Sequence, residues 1–239
     1  MQSSGTVVPA DGPIHPSGSV PARRPAAPPP SPSDCHVPSP ASTSRARVAV
    51  LVSGGGTNLQ ALLDADLGGD VVLVVSDAPG AGGLARAEAA GVETAVVRLA
   101  DHPDRPAWDG ALADAVAAAA PDLVVLAGFM RILGPAFVRR FRILNVHPSL
   151  LPAFAGARAV EEALAWGVTL TGCTVHFVDE EVDHGPIVAQ EAVAVLPDDS
   201  PATLHERIKT VEHRLLVRCV TLACQGRLAV HGRHVEIEP

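Results

Sequence analysis

Tyrosine is absent, aromatic residues make up 3% of the 239-residue chain, and Lys209 is its sole lysine. Basic residues are outnumbered, 18 Lys and Arg against 26 Asp and Glu, giving a formal charge of −8. A general nucleic-acid surface needs clustered cations, so this balance excludes one. If the ligands are anionic, attraction must come from a few arginines and from backbone amides, against the field of the whole molecule. Cys35, Cys173, Cys219 and Cys224 form no C-x-x-C pair. Reduced thiols in a cytoplasmic protein are therefore expected, and zinc is not. There is no uninterrupted run of about 18 apolar residues and no charged region leading into an apolar core at the amino terminus. Neither a spanning helix nor a secretory signal is expected.

What is present is enough apolar residue, 47% of the chain, for one good-sized core. Residues 1–44 stand apart: they are dominated by Pro, Ser, Ala and Gly and include Pro28-Pro29-Pro30. Such a composition buries too little apolar surface to offset its ordering entropy, so a disordered extension is expected there, with one folded domain over 45–239. A transit-like segment and an early start codon are both open readings of the extension.

From Arg47 onward apolar runs alternate with Ala-rich stretches. Val48 to Val52, Val71 to Val75, Ala95 to Val97 and Leu123 to Leu126 read as strands buried on both faces. Asn58 to Ala65, Leu84 to Ala90 and Trp108 to Ala119 read as helices between them. This alternation predicts parallel βαβ units, hence a doubly wound, Rossmann-like α/β sheet in the first half. After the run Ile143 to His147 the rhythm changes. A helix over Arg158 to Trp166 precedes two strands, Thr171 to Val178 and Ile187 to Val195, whose short acidic turn predicts antiparallel pairing. Pro201 behind Ser200 opens a last helix that runs toward Cys224 and stops before Gly226.

Two places carry chemistry. Ser53-Gly54-Gly55-Gly56-Thr57-Asn58 follows the first strand and opens the first helix, so unpaired amides are available to a phosphate. It fits neither the phosphate-loop nor the dinucleotide fingerprint, since no Gly-Lys-Ser/Thr follows and Leu59 takes the third glycine position. A tight turn that binds nothing is the alternative on this motif alone. The second place is Asn145-Val146-His147-Pro148. Residues two apart on a strand share a face, so Asn145 and His147 converge, and Pro148 ends the strand where open α/β sheets bind ligands.

Asp183, 36 positions beyond His147 in the turn Asp183-His184-Gly185-Pro186, offers a carboxylate to the imidazole. An amide donor, an imidazole and a carboxylate suit acyl transfer to an amine, in which negative charge grows on oxygen while a proton leaves nitrogen. Within about 4 to 6 Å, Asp183 would raise the histidine pKa by opposing charge. On residue types alone, a strand-end histidine tied to backbone and an aspartate capping a turn explain the pattern equally well. No residue nearby has the setting of a covalent nucleophile, Ser149 being the only candidate, so direct transfer is preferred. His176, mid-strand beside Phe177, reads as structural. His205 and His213, together with Glu212 on the same helix, lack a third clear ligand, so no metal is expected.

SGGGTNLQALLDA, AGFMRIL, ILNVHPSLLP, TVHFVDEEVDHGPIVAQ and IKTVEHRLL together resemble the 10-formyltetrahydrofolate-dependent formyltransferase family from about Val48 to Leu216. Similarity is greatest to the branch that formylates glycinamide ribonucleotide in purine biosynthesis. The resemblance implies that Gly56, Thr57 and Asn58 hold the phosphate and ribose of glycinamide ribonucleotide, with Lys209 and Glu212 contributing from the last helix. It implies that Met130, Arg131, Ile132 and Leu133 receive the pterin of 10-formyltetrahydrofolate, with Arg105 meeting its glutamate tail. The Asp179 to Asp183 turn forms the other wall. Asn145, His147 and Asp183 match the catalytic trio, with Asn145 also facing the folate, and the enzyme is expected as a monomer or homodimer.

The chain departs from the family pattern in places. The link Arg139 to Arg142 is shorter than usual, Arg158 stands where relatives place a histidine, Ala155 replaces a frequent proline, and His184 is unusual. The alternatives are a formyltetrahydrofolate deformylase, with water replacing the amine, and a folate- or nucleotide-binding module without catalysis. A methionyl-tRNA formyltransferase is disfavoured because it needs a further tRNA-binding domain.

Overall fold

The computed structural model describes residues 45–239; the extension over 1–44 lies outside the described residues. Its elements alternate as the apolar pattern demands: β1 (Ala46–Val52), α1 (Thr57–Leu63), β2 (Gly69–Ser76), α2 (Gly82–Ala89), β3 (Glu93–Val96), α3 (Arg105–Ala118), β4 (Leu123–Leu126), α4 (Pro135–Arg140) and β5 (Ile143–His147). There follow α5 (Ala159–Trp166), β6 (Leu170–Phe177), β7 (Ile187–Ala194), α6 (Pro201–Cys224), β8 (Leu228–His231) and β9 (His234–Ile237).

One sheet takes the strands in the order β3-β2-β1-β4-β5-β6-β7-β9-β8. β1 to β5 are parallel, β6 runs antiparallel to β5, and β7 antiparallel to β6. The predicted change of rhythm after β5 is thus a change of strand direction. Parallel strands buried on both faces need apolar residues at successive positions, and β1 divides its own between two layers. Val48, Val50 and Val52 pack with Leu59 of α1 and with Leu204, Ile208 and Leu216 of α6. Ala49 and Leu51 face Trp108 and Leu112 of α3 and Phe137 of α4.

Two elements differ from expectation. The link before β5 contains the short helix α4, and the chain beyond Gly226 forms the hairpin β8–β9, which meets the sheet through one parallel pairing, Ile187 with His234. A six-residue helix and four-residue strands with largely exposed faces give too few periods to read from sequence.

The sheet order reverses direction between β1 and β4. Loops leaving the carboxyl ends of strands at such a point diverge and open a crevice. Here they are the glycine loop after β1 and the segment 127–134 after β4, joined by the Ser53 amide donating to the Gly128 carbonyl at 3.1 Å. β5, the next strand, brings Asn145 and His147 to the same end.

Candidate active site

Asn145 and His147 project from one face of β5, and β6 fixes what lies opposite them: Asn145 pairs with His176 and His147 with Thr174. The His147 ring is buried. Its Nε2 donates to the Phe154 carbonyl at 2.8 Å, and its Nδ1 faces Oδ2 of Asp183 at 3.3 Å. Both ring nitrogens therefore face oxygen acceptors, an environment that an imidazolium satisfies. Among the described residues, three non-glycine residues have positive φ: Ala120, Phe154 and Asp183. Two of the three are the residues that contact the His147 ring, and backbone held in this costly region is characteristic of functional sites.

The segment carrying Phe154 is held from below by polar groups, among them buried Thr174. The Thr174 hydroxyl donates to the Ser149 carbonyl at 2.7 Å and accepts from the Leu151 amide at 3.1 Å. Gln190 donates to the Leu151 carbonyl at 2.8 Å. The Ser149 hydroxyl donates to the Ala153 carbonyl, so this buried serine is committed to the loop and does not act as a nucleophile.

Asp183 is fixed from several sides. Oδ2 also accepts from the Gly156 amide at 2.8 Å, and Oδ1 accepts a long contact, 3.4 Å, from the Asn145 amide nitrogen. The turn itself needs Gly185, because a Cβ there would collide with the Phe177 carbonyl. His184, three residues before β7, donates from Nδ1 to Asp179 at 2.9 Å and accepts at Nε2 from Arg233 of the hairpin at 3.0 Å.

His176 belongs to this constellation, where the sequence reading made it structural. Its Nδ1 donates to the Phe177 carbonyl at 2.8 Å, which leaves Nε2 to accept from the Asn145 amide nitrogen at 3.1 Å. Burial holds its pKa below the ordinary histidine value. A neutral His176 thus orients the Asn145 amide. The missing signal was strand register, since the residue across from Asn145 is defined only once β6 is paired.

Toward the glycine loop, Gly54 and Gly55 border open space, while a Cβ on Gly56 would lie 2.5 Å from the Gly83 Cα and its φ is +72°. Gly56 is therefore a steric necessity, and its two neighbours leave their amides accessible. Thr57 opens α1, and Asn58 donates from Nδ2 to Oε2 of Glu212 at 3.0 Å. Burial raises the Glu212 carboxyl above the usual carboxylate range, with Asn58 and Lys209 opposing the shift. The Asn58 Oδ1 is buried without a partner, an acceptor waiting for a donor. Lys209 pairs with Glu206 at 2.6 Å. Arg86, which the sequence reading passed over, donates to the Gly55 carbonyl at 2.8 Å and lines a small recess with Thr57 and His213.

On the other side, Met130 and Ile132 are 72% and 68% exposed, and Val182 of the Asp179–Asp183 turn is 52% exposed. Large apolar side chains left in solvent around a crevice mark a ligand-binding surface. Arg131 pairs with Asp77 at 2.7 Å. Arg105 stands elsewhere: it pairs with Asp109 at 3.2 Å, lies over the Trp108 ring, and is not among the cleft-lining residues.

One cleft of about 620 Å³ joins the two sides. It is lined by the glycine loop, the 128–133 segment, Asn145, His147, His176, the Asp179–Asp183 turn, Lys209 and Glu212. Every expected site residue except Arg105 borders it.

A family model described as formyl transferase matches residues 46–220. The chain is 52% identical over 204 residues to the phosphoribosylglycinamide formyltransferase of Mycobacterium tuberculosis, across 80% of this chain and 94% of that protein. It is 46% identical over 188 residues to the trifunctional purine biosynthetic protein adenosine-3 of Homo sapiens, across 76% of this chain and 19% of that longer protein. The crystal structure of glycinamide ribonucleotide transformylase 1 from Symbiobacterium toebii superposes with a TM-score of 0.81 at 46% identity, covering 83% of this chain and 96% of that one. On its sequence, its fold and the match across most of its described residues, the chain belongs to the formyl transferase family.

Proposed function

We propose that the chain transfers the formyl group of 10-formyltetrahydrofolate to the amine of glycinamide ribonucleotide, giving formylglycinamide ribonucleotide in purine biosynthesis. The observation that carries this reading is the placement of Asn145, His147 and Asp183 in one cleft between an accessible glycine loop and an apolar-rimmed loop. A cleft of about 620 Å³ also lies within the range of small-molecule sites, about 300–1,000 Å³. The names of the relatives point to the same substrate.

The folate cosubstrate supplies the electrophilic carbonyl carbon. Met130, Ile132 and Leu133 hold its ring, and the Asp179–Asp183 turn closes over it. Gly56, Thr57 and Asn58 take the phosphate and ribose of the second substrate, with Lys209 contributing charge and Glu212 accepting from a sugar hydroxyl or the amine. Asn145 is oriented by His176 and gives up its long contact with Asp183 to donate to the carbonyl oxygen as negative charge develops there. The amine nitrogen bonds to the formyl carbon and sheds a proton to Asp183. His147 keeps Nε2 on Phe154, so it gives the proton on Nδ1 to the folate nitrogen as the bond from that nitrogen to the formyl carbon breaks. Asp183 then returns the amine's proton to Nδ1 and tetrahydrofolate leaves. Burial pushes the thiols of Cys173 and Cys219 up to about 12 and that of Cys224 to about 11, so none competes as a nucleophile. Free thiols also suit the reducing cytoplasm.

The test is a formyl-transfer assay on His147→Ala. A fall in rate of roughly 10² to 10⁴-fold is expected with both substrates still binding. A rate near that of the unaltered chain would overturn the assignment. Formate release without glycinamide ribonucleotide would instead identify a hydrolase.

A further inference from the structure

Asp77, at the carboxyl end of β2, does not itself line the cleft, yet it joins the two loops that form it. Its side chain is 5% exposed. Oδ1 accepts from the Ser53 hydroxyl at 2.6 Å and Oδ2 accepts from Nε of Arg131 at 2.7 Å. The Ser53 oxygen in turn accepts from the Met130 amide at 2.9 Å. Each role is forced. Ser53 has one hydroxyl proton, and spending it on a carboxylate leaves only lone pairs for the Met130 N–H. The chain of bonds therefore runs from Met130 through Ser53 to Asp77, with Arg131 closing it from the other side.

Apolar packing holds this loop at Phe129, buried beside the Trp108 ring, and at Leu133, but not between them. Met130 and Ile132 point largely into solvent, so burial of these side chains cannot fix the stretch 130–132. Charge-assisted bonds to a buried carboxylate can, because they are short, directional and poorly screened. Ser53 also leads directly into Gly54, so the same carboxylate sets the cosubstrate loop relative to the glycine loop. Burial alone would push the Asp77 carboxyl up, but Ser53 and Arg131 outweigh it and hold it below the usual range, ionised as the clamp requires.

We propose that Asp77 is a positioning residue for the cosubstrate subsite: through Ser53 and Arg131 it fixes the 128–133 loop against the glycine loop. The inference rests on the formyl-transfer reading for the identity of the ligand and on geometry for the clamp. Asp77→Asn keeps the shape and removes one acceptor and the charge. The Michaelis constant for 10-formyltetrahydrofolate is expected to rise roughly tenfold, while kcat and the constant for glycinamide ribonucleotide stay within about twofold. Ser53→Ala should act in the same direction. Combined with Asp77→Asn it should add little, since both break one chain of bonds.

Amide hydrogen exchange on the unliganded chain provides a readout independent of turnover. Exchange at Met130 is expected to quicken roughly tenfold in Asp77→Asn, with the β1 amides unchanged. Unaltered Met130 protection, or equal damage to both Michaelis constants and kcat, would overturn the proposal. A wild-type chain that transfers no formyl group while the exchange result holds would overturn the substrate reading and leave the clamp standing.

Discussion

The protonation of single side chains decides how this site behaves. Glu212 is the clearest case, because burial raises its carboxyl while Asn58 and Lys209 hold it down. The folded chain resists an ionisation that the unfolded chain accepts freely. Its contribution to stability is thus full below the ordinary carboxylate pKa and is lost as pH rises through the raised value. Glu212→Gln keeps an acceptor for Asn58 and removes the buried charge. Thermal melts at pH 7 should show a gain on the order of 1 kcal/mol, or about 2–4 °C, and no gain near pH 4. Assays should show weaker binding of glycinamide ribonucleotide. A melting gain that persists at the acidic end would contradict the electrostatic account. His176 presents the opposite arrangement, a buried imidazole kept neutral so that it can accept from Asn145.

At the scale of elements, β5 and the segment after it act as one device. Pairing with β6 sets Asn145 against His176, and Thr174 and Gln190 reach under the following loop to fix Phe154, the acceptor of the His147 ring. Thr174→Val preserves shape but strands the Ser149 carbonyl and Leu151 amide, groups that cost about 1–3 kcal/mol each when buried without partners. A lower melting temperature should accompany a fall in kcat of about tenfold or more, measured with both substrates saturating. Loss of stability without loss of kcat would show that the loop does not position the ring. Much of this level was legible in advance. β5, α5 and α6 carry clear periodicity or caps, and the Ser200 cap is present, with its hydroxyl accepting from the Thr203 amide. α4 and the β8–β9 hairpin were not, being too short to display a period. Arg105, assigned to the cofactor's tail on resemblance, opens α3 beside Asp109 and over the Trp108 ring, outside the residues that line the cleft.

For the whole molecule, the decisive feature is a sheet covered on both faces by elements far apart in the chain. α6 supplies Leu204, Ile208, Leu216, Cys219 and Val220, all fully buried, to the layer beneath β1 and β4. Ile208→Ala should cost about 2–5 kcal/mol in denaturant unfolding, a large share of a total stability of about 5–15 kcal/mol. Because Ile208 packs on the face away from the catalytic trio, kcat should stay within about twofold. A cost below about 1 kcal/mol would mean that α6 adheres loosely. The net charge of −8 leaves local cations, Lys209 and Arg86 beside the glycine loop, to attract any phosphate.

The amino-acid sequence by itself determined the order of the longer strands and helices and the shared face of Asn145 and His147. These follow from periods of 2 and 3.6 residues and from local sterics, which neighbours in the chain settle among themselves. The tertiary structure alone decided that Asp183, Gly156 and Phe154 close around one imidazole, that His176 steers Asn145, and that Asp77 ties two loops together. Most of those contacts span tens of residues, and all depend on strand register or loop closure, quantities that no local pattern contains.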